Sequence, residues 1–444
     1  MQFKETEIQE YIWNHRDKLF SMIQTPVFEK DPNKKPWEYE PFELLYYQIL
    51  KEYEEYYKSL ARLEFFGCEV RLPKDGENTI RSDFFGSFEG ENGFVICELK
   101  VNKQPERQSF TELFAYANHV RSKFAPMGRR DIFYLLISPM EERIVREATI
   151  SNLVYDKNRI VALIPKVEND LDSLRFELWV PSKNEFRLFT KATFTPENID
   201  VFRISWSGAE GVWSPTKKGK EPNAEMIHRL NKVSHYAAQL MEANGINGFV
   251  FCLQSYPEER ERGFFENGFT ICGINPFKSA KTRYLYENGA SLEDAAKADM
   301  EAVGIGDFFP GLEKDDFDSD VEDPLYWLAF NWSSCIDEIA LDVVQRLNRT
   351  VGPATYHHGY GGFDWQSYRY NSHEDELCWN YDISLTGIFR EIYYLYLERV
   401  YRAGDTNIEE ERIEMIDSGK IEWHIIDMMY SHDHIREFVD GLIK

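Results

Sequence analysis

Residues 79–103 read TIRSDFFGSFEGENGFVICELKVNK. Two apolar runs, Thr79 to Phe88 and Gly93 to Val101, flank the turn Glu89-Gly90-Glu91-Asn92-Gly93, a pattern that predicts a β-hairpin. Side chains alternate faces along a strand, so Glu98 and Lys100 share a face with Phe94 and Ile96, and Cys97, Leu99 and Val101 take the other. Asp83 lies on the preceding strand, which the hairpin brings alongside. Two carboxylates so placed in an apolar sheet repel one another unless a divalent cation lies between them, and oxygen ligands suit Mg²⁺ or Mn²⁺. Lys100 adds a cation able to orient water and to balance charge on a phosphate. Taken alone, an acidic-x-Lys triplet is commonly just an ion pair at a strand end. Its surroundings single this one out.

Upstream, Ile8, Ile12, Leu19 and Ile23 recur on one face of an expected helix over about residues 5–24. The Pro-containing stretch TPVFEKDPNKKPWEYEP breaks that pattern before a second expected helix at 41–60, and residues 63–70 read as a strand. Downstream, the periodicity predicts a helix at 107–124, a strand at 131–137, a helix opened by Pro139 and a strand at 158–164. The order describes an α/β domain over residues 1–165 with a mixed sheet whose first strands are antiparallel. Residues 166–220 are expected to form a β-rich extension, with strands at 175–180, 185–194 and 201–206, running into the linker SGAEGVWSPTKKGKEPN. Residues 221–444 read as an acidic α+β domain, with helices at 224–243, 322–349, 383–403 and 421–443 and strands at 248–253 and 269–274. One echo spans the two parts: Glu91-Asn92-Gly93-Phe94-Val95-Ile96-Cys97 against Glu266-Asn267-Gly268-Phe269-Thr270-Ile271-Cys272. A second copy of the hairpin strand would lack the charged pair, because Gly273 and Asn275 stand where the first has Glu98 and Lys100.

With 444 residues, 43% hydrophobic and 29% charged, the chain suits two or three folded domains. No apolar run is long enough to span a bilayer and the N-terminus lacks a signal-peptide pattern, so a cytoplasmic protein without membrane contact is expected. Six scattered cysteines without a CxxC pair read as reduced core residues. The formal charge of −25 weighs against a nucleic-acid partner, since phosphate binding draws on Lys and Arg. That charge is unevenly spread: residues 1–164 carry 23 Lys and Arg against 27 Asp and Glu, and residues 165–444 carry 28 against 49. Between 99 and 130 the balance is +5, from Lys100, Lys103, Arg107, Arg121, Lys123, Arg129 and Arg130 against Glu106 and Glu112. The field beside the charged pair is therefore expected to be positive.

Over about residues 1–165 the chain resembles the PD-(D/E)xK, or restriction-endonuclease-like, nuclease superfamily, whose core is an αβββαβ unit with Asp on the second strand and (D/E)xK on the third. Arg81-Ser82-Asp83 stands where that family often has Pro-Asp or Ile-Asp, and Glu98-Leu99-Lys100 matches the triplet. It is most similar to the mismatch-type and Shedu-type defence nucleases, which carry an early helix of the form E-x-x-L-Q; here Glu5-Thr6-Glu7-Ile8-Gln9 matches it. The resemblance implies metal-dependent hydrolysis of phosphodiester bonds, with DNA as the expected substrate and phage defence or restriction as the setting. It implies Mg²⁺ or Mn²⁺ held by Asp83 and Glu98, water positioned by Lys100, and assistance from Glu5, with Glu7 as the alternative. Related enzymes place Gln-Leu-x-x-Tyr on the next helix, where this chain has Glu112-Leu113-Phe114-Ala115-Tyr116. A carboxylate there repels phosphate unless it is protonated or metal-bound, and Gln108 one turn earlier could replace the amide. Tyr116 reads either as a packed helix residue or as a base-stacking one. Lys103, Arg107, Gln108, Tyr116, Arg121 and Lys123 are the expected nucleic-acid contacts, the cations acting as phosphate anchors or, alternatively, pairing with nearby acids.

Other patterns are weaker. His357-His358, His373-Glu374 and His432-Asp433-His434 lack a second pair at ligand spacing. Residues 316–322 begin like a calcium loop but miss its glycine and final glutamate, and Gly359-Tyr360-Gly361-Gly362 lacks the Lys-Ser/Thr of a P-loop. The acidic residues 165–444 are expected to select substrate, mediate homo-oligomerisation or hold the nuclease in check, and their charge supports a different expectation as well: an inert nuclease-fold interaction protein whose surface mimics nucleic acid and binds a basic protein partner.

Overall fold

The computed structural model describes residues 3–32, 34, 38–73, 76, 79–90, 93–102, 106–187, 189–207, 224–256, 258–259, 267–312, 323–351, 355–357, 363–372, 378–403 and 432–443. It is a mixed α/β protein of two compact units, the first made of residues 1–33 and 45–186, the second of residues 34–44 and 187–444. Among the described residues no helix is long and apolar enough to cross a membrane.

The first unit is built on a six-stranded sheet in the order of the chain: β1 (Leu63–Leu72), β2 (Ile80–Phe88), β3 (Phe94–Leu99), β4 (Ile132–Ile137), β5 (Arg159–Lys166) and β6 (Arg175–Leu178). β1, β2 and β3 run antiparallel, β3 to β5 are parallel, and β6 returns antiparallel. The parallel centre is covered on both faces, which explains why β4, IFYLLI, is apolar throughout and wholly buried. One face packs under helix α2 (Pro41–Ser59): Tyr56 meets Phe133 edge-on, and the buried Tyr53 hydroxyl donates to the Trp179 carbonyl while accepting from the Ala162 amide. The other face carries Asp83, Ile96, Glu98 and Tyr134, and receives helices α1 (Glu5–Asn14) and α3 (Ser109–Lys123). Helix α4 (Arg143–Val154) connects β4 to β5. The hairpin turn needs glycine at 93, where φ is +107° and a Cβ would collide with the Asp131 carbonyl.

Several boundaries differ from expectation for local reasons. Helix α1 stops at Asn14 because His15 leaves helical geometry, and Arg16–Met22 continues as 3₁₀ turns. Helix α4 opens at Arg143 rather than Pro139, since Met140 holds a left-handed φ of +57° and Glu142 supplies the extended cap. Residues 185–194, expected as a strand, form the 3₁₀ turns Lys183–Phe186 and Lys191–Phe194. β6, placed by its sequence in the extension after 165, is the edge strand of the first sheet.

The second unit centres on an antiparallel sheet in which β7 (Ile199–Ser207) and β8 (Gly248–Ser255) flank β9 (Asn267–Ile274). Helices α5 (Ala224–Ala243) and α6 (Pro324–Val351) cover one face, burying Leu230, Val233, Ala237, Ile336 and Val343 against Ile204, Val250 and Ile271. Aromatic side chains fill the other, where Phe249 meets Trp365 and Phe389 edge-on. Residues 383–403 break into a short strand, Ser384–Thr386, and a helix, Ile388–Ala403, with Gly387 at φ +54° between them. The sequence echo does not extend to topology: β9 is antiparallel to both neighbours, whereas β3 is antiparallel to β2 and parallel to β4. All six cysteines are free and four are buried, but Cys68 is half-buried and Cys335, expected in the core, is exposed. The linker at 208–223, the calcium-like loop at 316–322, the glycine-rich stretch at 359–362, His358, His373 and residues 421–431 lie outside the described residues, as do the His432 and His434 side chains.

Candidate active site

β2 and β3 pair Phe84 with Cys97 and Phe85 with Ile96, which sets Asp83 opposite Glu98 on one face of the sheet. Asp83 is fixed at both oxygens. The Leu99 amide donates to Oδ2 at 2.7 Å, and Gln9 Nε2, from α1, donates to Oδ1 at 3.1 Å. The same Gln9 amide donates to Glu69 Oε1 at 2.9 Å. Glu69 reaches this position from β1 just beyond a bulge at Phe65–Gly67, with its own φ at +52°. A bulge re-aims side chains off the regular pleat, and a left-handed glutamate stores strain that the surrounding contacts must hold.

Glu98 and Lys100 are almost fully buried, and the Lys100 ammonium ion-pairs with Glu98 Oε1. It also lies 2.8 Å from Glu112 Oε2 on α3 and 4.0 Å from Glu5 Oε1 on α1. One ammonium thus sits among three carboxylates, with Asp83 and Glu69 close by. Burial raises the Asp83 carboxyl to about 6, helped by Glu5 and Glu69 and opposed by the Leu99 amide and Lys100. Burial also raises Glu98, to about 10, reinforced by its hydrogen bond with the Glu112 carboxyl and by Asp83, against the pull of Lys100. For Glu112, burial is outweighed by the hydrogen bonds from Glu98 and Lys100, and its carboxyl falls below the ordinary value. Burial alone would lower Lys100, but Glu98 and Glu112 hold it above the usual lysine range. The apo arrangement at neutral pH is therefore a protonated Glu98, an ionised Glu112 and a permanent ammonium.

Several of the expected site residues converge here and others do not. Asp83, Glu98, Lys100 and Glu5 come together, whereas Glu7 turns back to accept the Lys4 amide at 2.7 Å, a helix-capping role. Glu112, at the position where an amide was expected, is a member of the charged cluster. Tyr116 is buried, and burial with the charges of Glu98, Glu112 and Asp83 raises its phenol; it packs at the cluster instead of facing outward to stack a base. Arg107 is exposed but ion-pairs with Glu142 at 2.7 Å, the alternative to a phosphate anchor. Arg121 stands beside the Tyr134 phenol. Gln108 and Lys123 are exposed, and Lys103 lies outside the described residues. Glu69 had no signal in the sequence, and Gln9 was visible only as a letter in the helix motif.

The chemistry of the donor set bears on a metal. Among the described residues no three His, Cys, Asp or Glu side chains form a ready cage. Glu98 Oε2 is nevertheless buried without a hydrogen bond of good geometry, and such a carboxylate oxygen requires a proton or a cation, whereas Glu112 Oε2 already has the Lys100 ammonium 2.8 Å away. Mg²⁺ commonly draws on one or two carboxylates and keeps water in its remaining positions, so Asp83 and Glu98 fit a hydrated divalent ion. Comparison with known proteins adds no relative: no family model, no curated protein and no solved structure matches this chain.

Proposed function

We propose that the first unit is a divalent-metal-dependent nuclease of the PD-(D/E)xK type that hydrolyses phosphodiester bonds, with DNA as its substrate. The observation that carries this reading is the register of the hairpin: Asp83 faces Glu98 across adjacent strands, and the Lys100 ammonium is buried beside Glu98. In this reading Asp83 and Glu98 hold Mg²⁺ or Mn²⁺, which when bound supplies Lewis acidity to the phosphate and lowers the pKa of its water. Lys100 stays protonated, so it donates to the attacking water or a phosphate oxygen and does not act as a base. Gln9 and the Leu99 amide fix the Asp83 carboxylate so that it needs no reorganisation on binding. Glu112 holds the ammonium in place, and Glu5, one step further out, completes the anionic ring. A role in restriction or phage defence and a cytoplasmic setting rest on the resemblance and composition alone.

Incubation of the purified protein with supercoiled plasmid and, separately, with a single-stranded DNA oligonucleotide, each with Mn²⁺ or Mg²⁺ and beside Lys100→Ala and Asp83→Ala, tests this chemistry. Nicking by the wild type and loss in both variants is expected. Absence of cleavage with either metal, or equal cleavage by all three proteins, refutes it. The charge of −21 over residues 165–444 supports a second reading, an inert nuclease-fold scaffold that engages a basic protein through an acidic surface. Calorimetry separates the two, since a folded protein that takes up no Mn²⁺ fits only the scaffold.

A further inference from the structure

The face of the first sheet that carries Asp83 and Glu98 also carries a line of phenylalanines. Phe85 follows Asp83 by one alternation on β2, and Phe94 precedes Glu98 by two on β3. Phe66, at the bulge of β1, meets Phe85 edge-on with ring centres 5.5 Å apart; Phe85 and Phe94 are 5.1 Å apart; Phe94 and Phe124, at the end of α3, are 5.2 Å apart. The four rings cross three strands and reach a helix. Both ends are open, with Phe66 58% and Phe124 51% exposed, and the two middle rings are half-buried. At about 3.3 Å per residue, Phe94 stands roughly 13 Å along β3 from Glu98.

The setting of the line narrows what covers it. The line is continuous with the charged cluster on the same sheet face. Lys123 adjoins Phe124, and Arg129 and Arg130 follow, all exposed. Rings beside cations suit a ligand with flat π faces and a negative backbone, which is what unpaired nucleotides offer. A duplex keeps its base faces stacked inside and cannot present them to the rings.

We propose that this phenylalanine ladder is a stacking platform for unpaired bases, so that single-stranded nucleic acid is the substrate class delivered to the Asp83–Glu98 site. The cleavage part rests on the nuclease reading above; the stacking part does not. The test uses the full chain in EDTA and fluorescence anisotropy with a labelled 20-nucleotide single strand and the same sequence as a duplex. Wild type is expected to prefer the single strand. Phe66→Ala and Phe124→Ala are each expected to weaken single-strand binding about five-fold or more while duplex binding stays the same, and Phe66→Trp is expected to restore it. Alanine variants that keep their circular dichroism and bind the single strand like wild type overturn the platform. So does a tryptophan variant that binds no better than alanine. Sedimentation in which the alanine variants convert a dimer to a monomer, with oligonucleotide binding unaltered, also overturns it and makes the ladder a contact between copies. Cleavage of the same oligonucleotides with Mn²⁺ keeps the two readings apart. Ladder-dependent binding without cleavage refutes the nuclease and leaves the platform standing; cleavage that ignores both alanine substitutions does the reverse.

Discussion

Replacing Glu98 by glutamine removes a titrating group without removing its volume or its polarity, and the consequence depends on pH in a calculable way. Burial, the Glu112 carboxyl and Asp83 raise Glu98 from 4.5 to about 10, so between those values the folded chain holds one proton that the unfolded chain has released. Stability then falls as pH rises, by about 1.4 kcal/mol per unit for one such proton. The stabilisation is full below pH 4.5 and is lost progressively until about pH 10. The glutamine variant holds no such proton, and the other titrating groups are common to both proteins. From about pH 6 to about pH 8, both inside the window, Glu98→Gln should gain on the wild type by up to about 3 kcal/mol. Urea pulse proteolysis in EDTA, read by mass spectrometry on peptides of the first unit, measures that difference without interference from the second. Parallel pH profiles for the two proteins would refute a protonated Glu98 and with it the picture of a site that exchanges a proton for a metal.

Mn²⁺ binding should release the Glu98 proton, so affinity should rise about tenfold per pH unit between about pH 6 and 9; calorimetry in buffers of different ionisation heat counts the proton, and a pH-independent affinity means that Glu98 is not a ligand. Gln9→Ala removes the donor shared by Asp83 and Glu69 and should cost about 1–3 kcal/mol of stability, together with lower plasmid nicking at subsaturating Mn²⁺; unchanged nicking there would show that Asp83 needs no help from α1. Arg107→Ala should leave the salt slope of DNA binding unaltered, because its charge is spent on Glu142, whereas Lys123→Ala should flatten the slope by about 0.9; the opposite result would return Arg107 to the phosphate path. Gly93→Ala should lower the urea midpoint of the first unit, since φ is +107° and the Asp131 carbonyl leaves no room for a methyl group.

Residues 79–103 were enough to place a hairpin, its parity and the facing of Asp83 and Glu98, because strand alternation and a Gly-bearing turn are local properties of the backbone. The alternation of apolar runs also carried the order of elements to β5. Whatever depended on neighbours distant in the chain was not legible. β6 and the 185–194 segment look equally strand-like, but only the first finds a ladder partner, on β5. Six of the seven positions in 91–97 and 266–272 match and lead into β3 and β9, yet the strands beside them differ in direction, and direction is decided by the connections. In the site, tertiary packing made Glu112 a partner of Lys100, spent Arg107 on Glu142, and delivered Gln9 and Glu69 to Asp83 from separate elements of the chain. Sequence alone determined which groups could carry charge on that face. The packing of α1 and α3 against it decided which of them are protonated, paired or left to bind a cation, because burial and a neighbour within about 4 Å set the energy of a charge and neither is written in the order of residues.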